Sequence, residues 1–243
     1  MKPYGSLCSL FYDAIEGYAP QHEVNFYATQ INQSPGRALE AMSGSGRLQI
    51  PLLQRGYTVD GVDSSSAMLT RCRERCALLN VQPDLYEQSL ESLNTGQLYT
   101  IVFIPFGSFQ LITNHAIALA ALKRIGEHLY PGGTLLIDLF TPDQSVAERA
   151  THRTRVDNTT TIELTTRRIF NHETAIVQAF CTYSLFVNGI YQYCEEEIEE
   201  VTWYTDDAFE QLLKQAGFAQ TAVYDQSFRS ESRSRIVKAI KLP

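Results

Sequence analysis

Residues 37–47, Arg-Ala-Leu-Glu-Ala-Met-Ser-Gly-Ser-Gly-Arg, decide the fold, because a short apolar strand runs into a glycine-containing turn and then into a helix. Glycine has no side chain and tolerates positive φ, so the backbone at Gly44 and Gly46 can approach a ligand closely. Asp63 follows Gly46 by 17 residues and ends the next strand. A carboxylate there can accept hydrogen bonds from both hydroxyls of a ribose. The segment therefore predicts a binding site for an adenosine-containing ligand.

Strands and helices alternate from this segment onward, with short turns between them. The predicted strands cover residues 37–41, 58–62, 84–88, 99–104, 134–139, 220–224 and 236–241, and the helices between them cover 48–54, 64–79, 116–129 and 206–216. We expect Ser64 or Ser65 to cap the second of these helices and Pro131-Gly132-Gly133 to stop the third. This alternation predicts an α/β fold with a seven-stranded, mostly parallel sheet and helices on both faces.

The pattern changes between residues 153 and 203, where Thr, Ile, Val, Tyr and Phe alternate with polar residues. Turns are predicted at 171–173 and at Asn188-Gly189, so we expect an antiparallel insertion of roughly three strands. Two helical patterns, 7–16 and 23–31, precede the sheet, and the Ser/Arg-rich residues 227–234 predict an exposed loop. The chain is thus expected to be one domain (1–243): an N-terminal helical cap (1–33), a cofactor-binding core (34–142), the insertion (153–203) and a C-terminal completion of the sheet (204–243).

Composition narrows the class of protein. Of 243 residues, 44% are hydrophobic and 19% charged, with a net charge of −7, which argues against a protein that tracks nucleic-acid phosphates. No apolar run approaches the ~18 residues of a membrane span, and the first residues lack the apolar stretch of a signal peptide. Five irregularly spaced cysteines predict free thiols in a reducing compartment and no metal site, although Cys72 and Cys76 are four residues apart. We expect a cytoplasmic protein that binds neither membrane nor nucleic acid.

Five motifs, in order along nearly the whole chain, resemble class I S-adenosylmethionine-dependent methyltransferases. The first is Glu40-x-x-x-Gly44-x-Gly46, and the others lie in residues 56–69, 99–109, 129–138 and 201–218. The match is closest to family members that act on small molecules. The resemblance implies a Rossmann-like sheet, S-adenosylmethionine as cofactor, and methyl transfer to a small-molecule acceptor by in-line displacement.

The resemblance also implies roles for particular residues. Glu40, Gly44 and Gly46 would hold the methionine portion of the cofactor, and Asp63 the ribose. The full expected cofactor set is Tyr12, Glu40, Met42, Gly44, Gly46, Asp63, Ser64, Met68, Ser89, Leu90 and Ile104. The acceptor would lie over the ends of the fourth and fifth strands, with Phe109, Phe140, Trp203 and Tyr204 as candidate pocket residues.

Three positions depart from the family pattern. Met42 stands where glycine is usual, and since methionine is strained at positive φ we expect a slightly altered turn. Ser89 replaces the acidic residue that receives the adenine amino group, which predicts a weaker, neutral contact. Thr100 replaces a common aspartate in the fourth strand, a change that we interpret as structural.

Two other functions remain compatible with this pattern. The first is a nicotinamide-dependent oxidoreductase, against which Gln49 argues because it stands where a third glycine is needed. The second is a non-catalytic binding protein that retains the fold, which the departures at Met42 and Ser89 keep open. Family members that methylate the amino groups of nucleic-acid bases commonly carry an Asn/Asp-Pro-Pro-Tyr signature. This chain has Ile104-Pro105-Phe106-Gly107 in its place, which favours a small-molecule acceptor over nucleic acid.

The catalytic base and the oligomeric state stay unassigned. His22, Tyr12 or a carboxylate could serve as general base. The acidic run of residues 195–197, with Glu199 and Glu200, is interpreted as a solvated strand face and not as a site for an amine substrate.

Overall fold

The computed structural model describes residues 4–143, 148–225, 228 and 233–243. In chain order its elements are α1 (Ser6–Glu16), α2 (Gln21–Gln33), β1 (Ala38–Ala41), α3 (Gln49–Gln54), β2 (Val59–Asp63), α4 (Ser66–Leu78), β3 (Leu85–Glu87), β4 (Tyr99–Ile104), α5 (His115–Glu127), β5 (Leu129–Thr141), β6 (Arg149–Arg155), β7 (Thr160–Asn171), β8 (Ile176–Val187), β9 (Ile190–Thr202), α6 (Asp206–Gln215), β10 (Phe218–Tyr224) and β11 (Arg233–Lys241). Most of the predicted exposed loop at 227–234 lies outside the described residues.

The main sheet has seven strands in the order β10-β11-β5-β4-β1-β2-β3. The five strands from β3 to β5 are parallel, and β10 and β11 pair antiparallel at one edge. This confirms the predicted seven-stranded, mostly parallel α/β sheet. All four residues of β1 are buried between β2 and β4. Strands β2 and β3 follow β1 on one side and β4 and β5 lie on the other, so the strand order reverses between β1 and β4. Ligands of open α/β sheets bind at the carboxyl ends of the strands beside such a switch point.

The helix before β5 ends earlier than predicted. α5 stops at Glu127, so the prediction that Pro131-Gly132-Gly133 stops it is wrong. β5 begins at Leu129 and runs through the Pro-Gly-Gly segment, where its pairing with β4 shifts register. Gly132 has φ of +74°, a conformation that glycine adopts without strain. The segment therefore forms an irregular start to the strand.

The insertion forms a separate antiparallel sheet of four strands, in the order β6-β7-β8-β9, where three were expected. The predicted turn at Asn188-Gly189 joins β8 and β9 with positive φ at both residues. The turn that the sequence did not reveal lies between β6 and β7, where Asp157 Oδ1 accepts hydrogen bonds from the Thr159 and Thr160 N–H groups at 2.7 and 2.8 Å. Such an Asx turn needs no glycine or proline, which explains why it was missed.

Helix α1 connects the insertion to the rest of the molecule. Its buried face packs on the insertion sheet in a small core made of Leu7, Cys8, Phe11, Ile162, Cys181 and Tyr183. Each fully buried side chain of this kind contributes about 1.5–3 kcal/mol relative to an exposed one. The helix therefore lies between the insertion and the carboxyl ends of β1 and β2, and it covers the region where the ligand site was predicted.

Candidate active site

A cavity of about 250 Å³ opens at the carboxyl ends of β1 and β2, and we call it the inner cavity. Its lining includes Tyr4, Tyr12, Glu40, Met42, Ser43, Gly44, Asp63, Ser64, Ser65 and Met68. These walls come from α1, from the turn after β1 and from the start of α4, and the loop after β4, β5 and β9 complete the lining. Ser65, not Ser64, is the N-cap of α4, since its Oγ accepts a hydrogen bond from the Met68 N–H at 3.2 Å.

The turn after β1 is left-handed at three positions. Met42, Gly44 and Gly46 have φ of +58°, +56° and +82°. The expected altered turn is therefore wrong: the backbone keeps the left-handed geometry with a methionine in it. A non-glycine residue in this region costs about 1–2 kcal/mol. The Ser43 N–H donates to the Val62 carbonyl at 3.0 Å and holds the turn against β2.

Asp63 connects this turn to the start of α4. Its Oδ2 accepts a hydrogen bond from the Gly44 N–H at 2.9 Å, and its Oδ1 accepts one from the Ser65 N–H at 2.8 Å. Burial raises the pKa of Asp63, while these backbone donors act in the opposite direction. Each carboxylate oxygen keeps a lone pair for a ligand hydroxyl.

Glu40 is only 2% exposed and lines the same cavity. Among the described residues its Oε2 has no hydrogen-bond partner. Burial raises the pKa of Glu40 well above its usual range, an effect that the charge of Arg47 partly opposes. A buried carboxylate oxygen without a donor is costly, and a cationic ligand group would supply one. The cavity therefore suits a ligand that carries an ammonium group near Glu40 and a ribose near Asp63.

A second, larger cavity of about 670 Å³, the outer cavity, lies between the insertion sheet and the main sheet. Five of the residues that the structure describes line both cavities: Arg47, Phe106, Phe140, Glu199 and Val201. These five residues, which we call the junction, mark the place where ligands in the two cavities would meet.

Phe106 occupies the junction in a strained conformation. It and Gly107 have φ of +59° and +71°, and the Phe106 N–H donates to Asp138 Oδ2 at 3.0 Å. The guanidinium of Arg47 lies over the Phe106 ring, 4.2 Å from its centroid. Arg47 is itself paired with the buried Glu23, its Nη1 donating to Oε2 at 2.8 Å. Strain of this kind in a non-glycine residue is typical of functional sites.

The structure brings seven of the eleven expected cofactor residues to the inner cavity: Tyr12, Glu40, Met42, Gly44, Asp63, Ser64 and Met68. The other four, Gly46, Ser89, Leu90 and Ile104, are not part of its lining. Gly46 faces the protein interior, where an added Cβ would lie 2.8 Å from Cys72 Sγ. Ser89 forms a hydrogen bond with Ser92, and Leu90 and Ile104 belong to the core.

Of the four expected acceptor-pocket residues, Phe140 lines both the inner and the outer cavity, and the other three line neither. Phe109 is fully buried and packs with Tyr204 and Phe209, and burial raises the pKa of Tyr204 to about 12. Trp203 has its ring 6.3 Å from that of His172. Phe109, Trp203 and Tyr204 thus lie outside both cavities, and Phe109 and Tyr204 pack instead with Phe209.

The acidic run is not a simple solvated face. On β9 alternate residues face the interior: Glu195 and Glu197 accept hydrogen bonds from the N-terminus of α1, and Glu199 lines both cavities. The period of two in the sequence could have revealed this division. Of the proposed general bases, Tyr12 lines the inner cavity, whereas His22 lines neither cavity and its ring lies 5.6 Å from that of Phe228.

Within the described residues, no helix is long and apolar enough to cross a membrane. The same residues contain no cluster of three or more His, Cys, Asp or Glu side chains arranged for a metal ion. Cys72 and Cys76 are free, with their sulfur atoms 4.0 Å apart.

The comparison with known proteins agrees with this geometry. A family model described as a methyltransferase domain matches residues 38–133. A protein named as a methyltransferase, YqeM of Bacillus subtilis (strain 168), is 23% identical over 210 residues, or 85% of this chain and 83% of that protein. Among solved structures, an S-adenosylmethionine-dependent methyltransferase from Clostridium acetobutylicum ATCC 824 has a TM-score of 0.78 at 15% identity, covering 96% of this chain and 97% of its own. The sugar N-methyltransferase KedS8 from Streptoalloteichus sp ATCC 53650 has a TM-score of 0.79 at 15% identity, covering 100% and 96%.

The structural similarities establish the fold, and the family match covers the strand, turn and acidic residue that build the inner cavity. Residues 38–133 thus match a methyltransferase-domain family, and the whole chain has the fold of S-adenosylmethionine-dependent methyltransferases.

Proposed function

We propose that the enzyme methylates a small molecule at an amine or hydroxyl group, with the cofactor in the inner cavity and the acceptor in the outer one. The observation that carries the proposal is the junction, because a methyl group can pass between the two cavities only where both are lined by the same residues. The volume of the outer cavity is in the range of small-molecule sites, about 300–1,000 Å³. The sugar N-methyltransferase among the structural relatives supports an acceptor of this size.

The inner cavity supplies the groups that would hold the cofactor. Glu40 would accept hydrogen bonds from the ammonium of its methionine portion, and Asp63 from its ribose hydroxyls. When bound, S-adenosylmethionine supplies an electrophilic methyl group on a sulfonium. The rings of Phe106 and Phe140 exclude water from the junction, which protects such a group and holds the acceptor in position.

Glu199 is the proposed proton acceptor. It is the one acidic residue among the described residues that line both cavities. An amine or hydroxyl acceptor loses its proton as it gains the methyl group, and the carboxylate of Glu199 would take up that proton. Arg47 is the one basic residue among the described residues that line both cavities, and its charge is balanced by its buried ion pair with Glu23.

Calorimetric titration with S-adenosylmethionine, S-adenosylhomocysteine and NAD tests the cofactor assignment. We expect the first two to bind and NAD not to bind, and Asp63→Ala to weaken the binding. Asp207→Asn, at an exposed carboxylate in the first turn of α6, is the control and should bind normally. Binding of NAD would favour an oxidoreductase, and absence of all binding would favour a non-catalytic protein.

A labelling experiment tests the acceptor class. S-adenosylmethionine labelled in its methyl group is incubated with the enzyme and with dialysable small molecules, protein or RNA. We expect label in the small-molecule fraction, and we expect Glu199→Gln to reduce transfer while S-adenosylhomocysteine binds as before. Transfer to protein or RNA alone would contradict the proposed acceptor.

A further inference from the structure

Arg168 lies in the wall of the outer cavity, and one nitrogen of its guanidinium has no hydrogen-bond acceptor among the described residues. It belongs to the face of β7 that turns toward the main sheet, together with Leu164, Thr166 and Phe170. Its Nη1 is buried and has no hydrogen-bond partner within the described part of the chain. A buried guanidinium donor without an acceptor costs free energy that a ligand can recover.

The strand register separates Arg168 from Glu199. Arg168 pairs with Ala179 on β8, and Ala179 pairs with Glu199 on β9, so the three residues form one row across the sheet. Neighbouring strands are about 4.8 Å apart, which places the Arg168 and Glu199 backbones about 10 Å apart. One end of the row is therefore basic and the other acidic.

The other charged groups of the outer cavity have different roles. Arg47 is paired with Glu23, and the His152 ring packs edge-on against Phe11. Three carboxylates of the described residues also line the cavity, Glu16, Asp143 and Glu199, of which Asp143 and Glu199 already have interaction partners within the chain. Among the described residues of this wall, Arg168 is therefore the cation with a donor, Nη1, that lacks an acceptor.

We propose that Arg168 binds an anionic group of the acceptor, a carboxylate or a phosphate, while the atom to be methylated lies at the junction near Glu199. This inference rests on the proposed function, since it assigns the outer cavity to the acceptor. A guanidinium presents two parallel donors that match both kinds of anion. The acceptor is thus a molecule with an anionic group at one end and an amine or hydroxyl at the other.

Four sugars that differ in their charged group test the proposal: glucose, glucosamine, glucuronate and glucose 6-phosphate. Each is titrated by calorimetry into the enzyme saturated with S-adenosylhomocysteine. We expect glucuronate or glucose 6-phosphate to bind at least about tenfold more tightly than glucose and glucosamine. The two acidic sugars distinguish a carboxylate site from a phosphate site.

Arg168→Met should abolish this preference, and Arg168→Lys should retain part of it. Arg167→Met is the matched control, because Arg167 is the neighbouring arginine on the same strand and lies over the Phe180 ring, outside both cavity linings. S-adenosylhomocysteine should bind all variants equally, which shows that they are folded. Equal binding of all four sugars, no binding of any, or equal losses in the Arg167 and Arg168 variants would overturn the anion site. Failure of the unaltered enzyme to bind S-adenosylhomocysteine would instead overturn the proposed function.

Discussion

The carboxylate of Glu197 accepts a hydrogen bond from the Gly5 N–H at 2.6 Å, although 192 residues separate them. Its second oxygen accepts one from the Tyr4 N–H at 2.9 Å, and Glu195 accepts one from the Leu7 N–H at 2.9 Å. Helix α1 has no side-chain cap of its own. The insertion therefore caps the helix that covers the site, and Tyr4, held in this way, lines the inner cavity.

Glu197→Gln should loosen α1. The variant loses the negative charge at the helix N-terminus, which we expect to cost about 1–2 kcal/mol of stability. Amide hydrogen exchange in residues 4–9 should become faster, and S-adenosylhomocysteine should bind more weakly. Glu196→Gln, at the exposed neighbour on the opposite face of β9, should change neither. Equal exchange rates in the two variants would contradict the capping role.

Gly46→Ala should destabilise the protein by about 2–4 kcal/mol, because the new methyl group adds crowding to backbone strain. The added Cβ would lie 2.8 Å from Cys72 Sγ and 2.9 Å from Ile50, at φ of +82°. Gly56→Ala is the matched control: φ is +85° and no atom lies within 4 Å of the added Cβ. Its cost should be backbone strain alone, about 1–2 kcal/mol. Urea denaturation measures both, and equal losses would show that the packing beneath the turn tolerates the methyl group.

Substitutions at Met42 separate side-chain packing from backbone strain. Met42→Ala and Met42→Gly both remove the contacts of the side chain with the core, but only glycine relieves the positive φ. We expect the glycine variant to be more stable than the alanine variant by about 1 kcal/mol. Thermal unfolding of the two proteins checks the difference. A more stable alanine variant would mean that the turn changes its conformation once methionine is removed.

Glu40→Gln should stabilise the protein without ligand at neutral pH. Burial raises the pKa of Glu40 in the folded state, whereas in the unfolded chain it ionises near 4.5. The folded protein therefore binds the proton more tightly, and the carboxyl group destabilises the fold increasingly as the pH rises above 4.5. The melting temperature of the variant should exceed that of the unaltered protein at pH 7, and the difference should vanish near pH 4.

The same substitution should weaken binding of S-adenosylmethionine, since the ammonium would lose its charged partner. In the unaltered enzyme affinity should rise with pH as Glu40 ionises, and in the glutamine variant this contribution should be absent. Calorimetry over a range of pH measures both. An identical pH dependence in the two proteins would place the ammonium elsewhere.

The alternation of strands and helices and the position of the inner cavity follow from local features of the sequence. Glu40, Gly44 and Asp63 lie at the ends of adjacent buried strands, and parallel strands bring their carboxyl ends to one edge of a sheet. Apolar periodicity and glycine turns are local signals, so they could be recognised without knowledge of the fold. The same applies to the Asn188-Gly189 hairpin.

The outer cavity and the junction were decided by the tertiary structure. Arg168, Glu199 and Phe106 come from distant parts of the chain, and no local pattern relates a residue of one sheet to a loop of the other. The same reason explains why Phe109, Trp203 and Tyr204 were expected in the acceptor pocket. In the sequence, an aromatic residue that lines a pocket cannot be distinguished from one that packs in the core beside it. Sequence alone thus determined the cofactor scaffold, whereas the packing of α1 and the insertion against that scaffold decided the outer cavity that we propose for the acceptor. Such contacts depend on how whole elements meet and not on residue spacing.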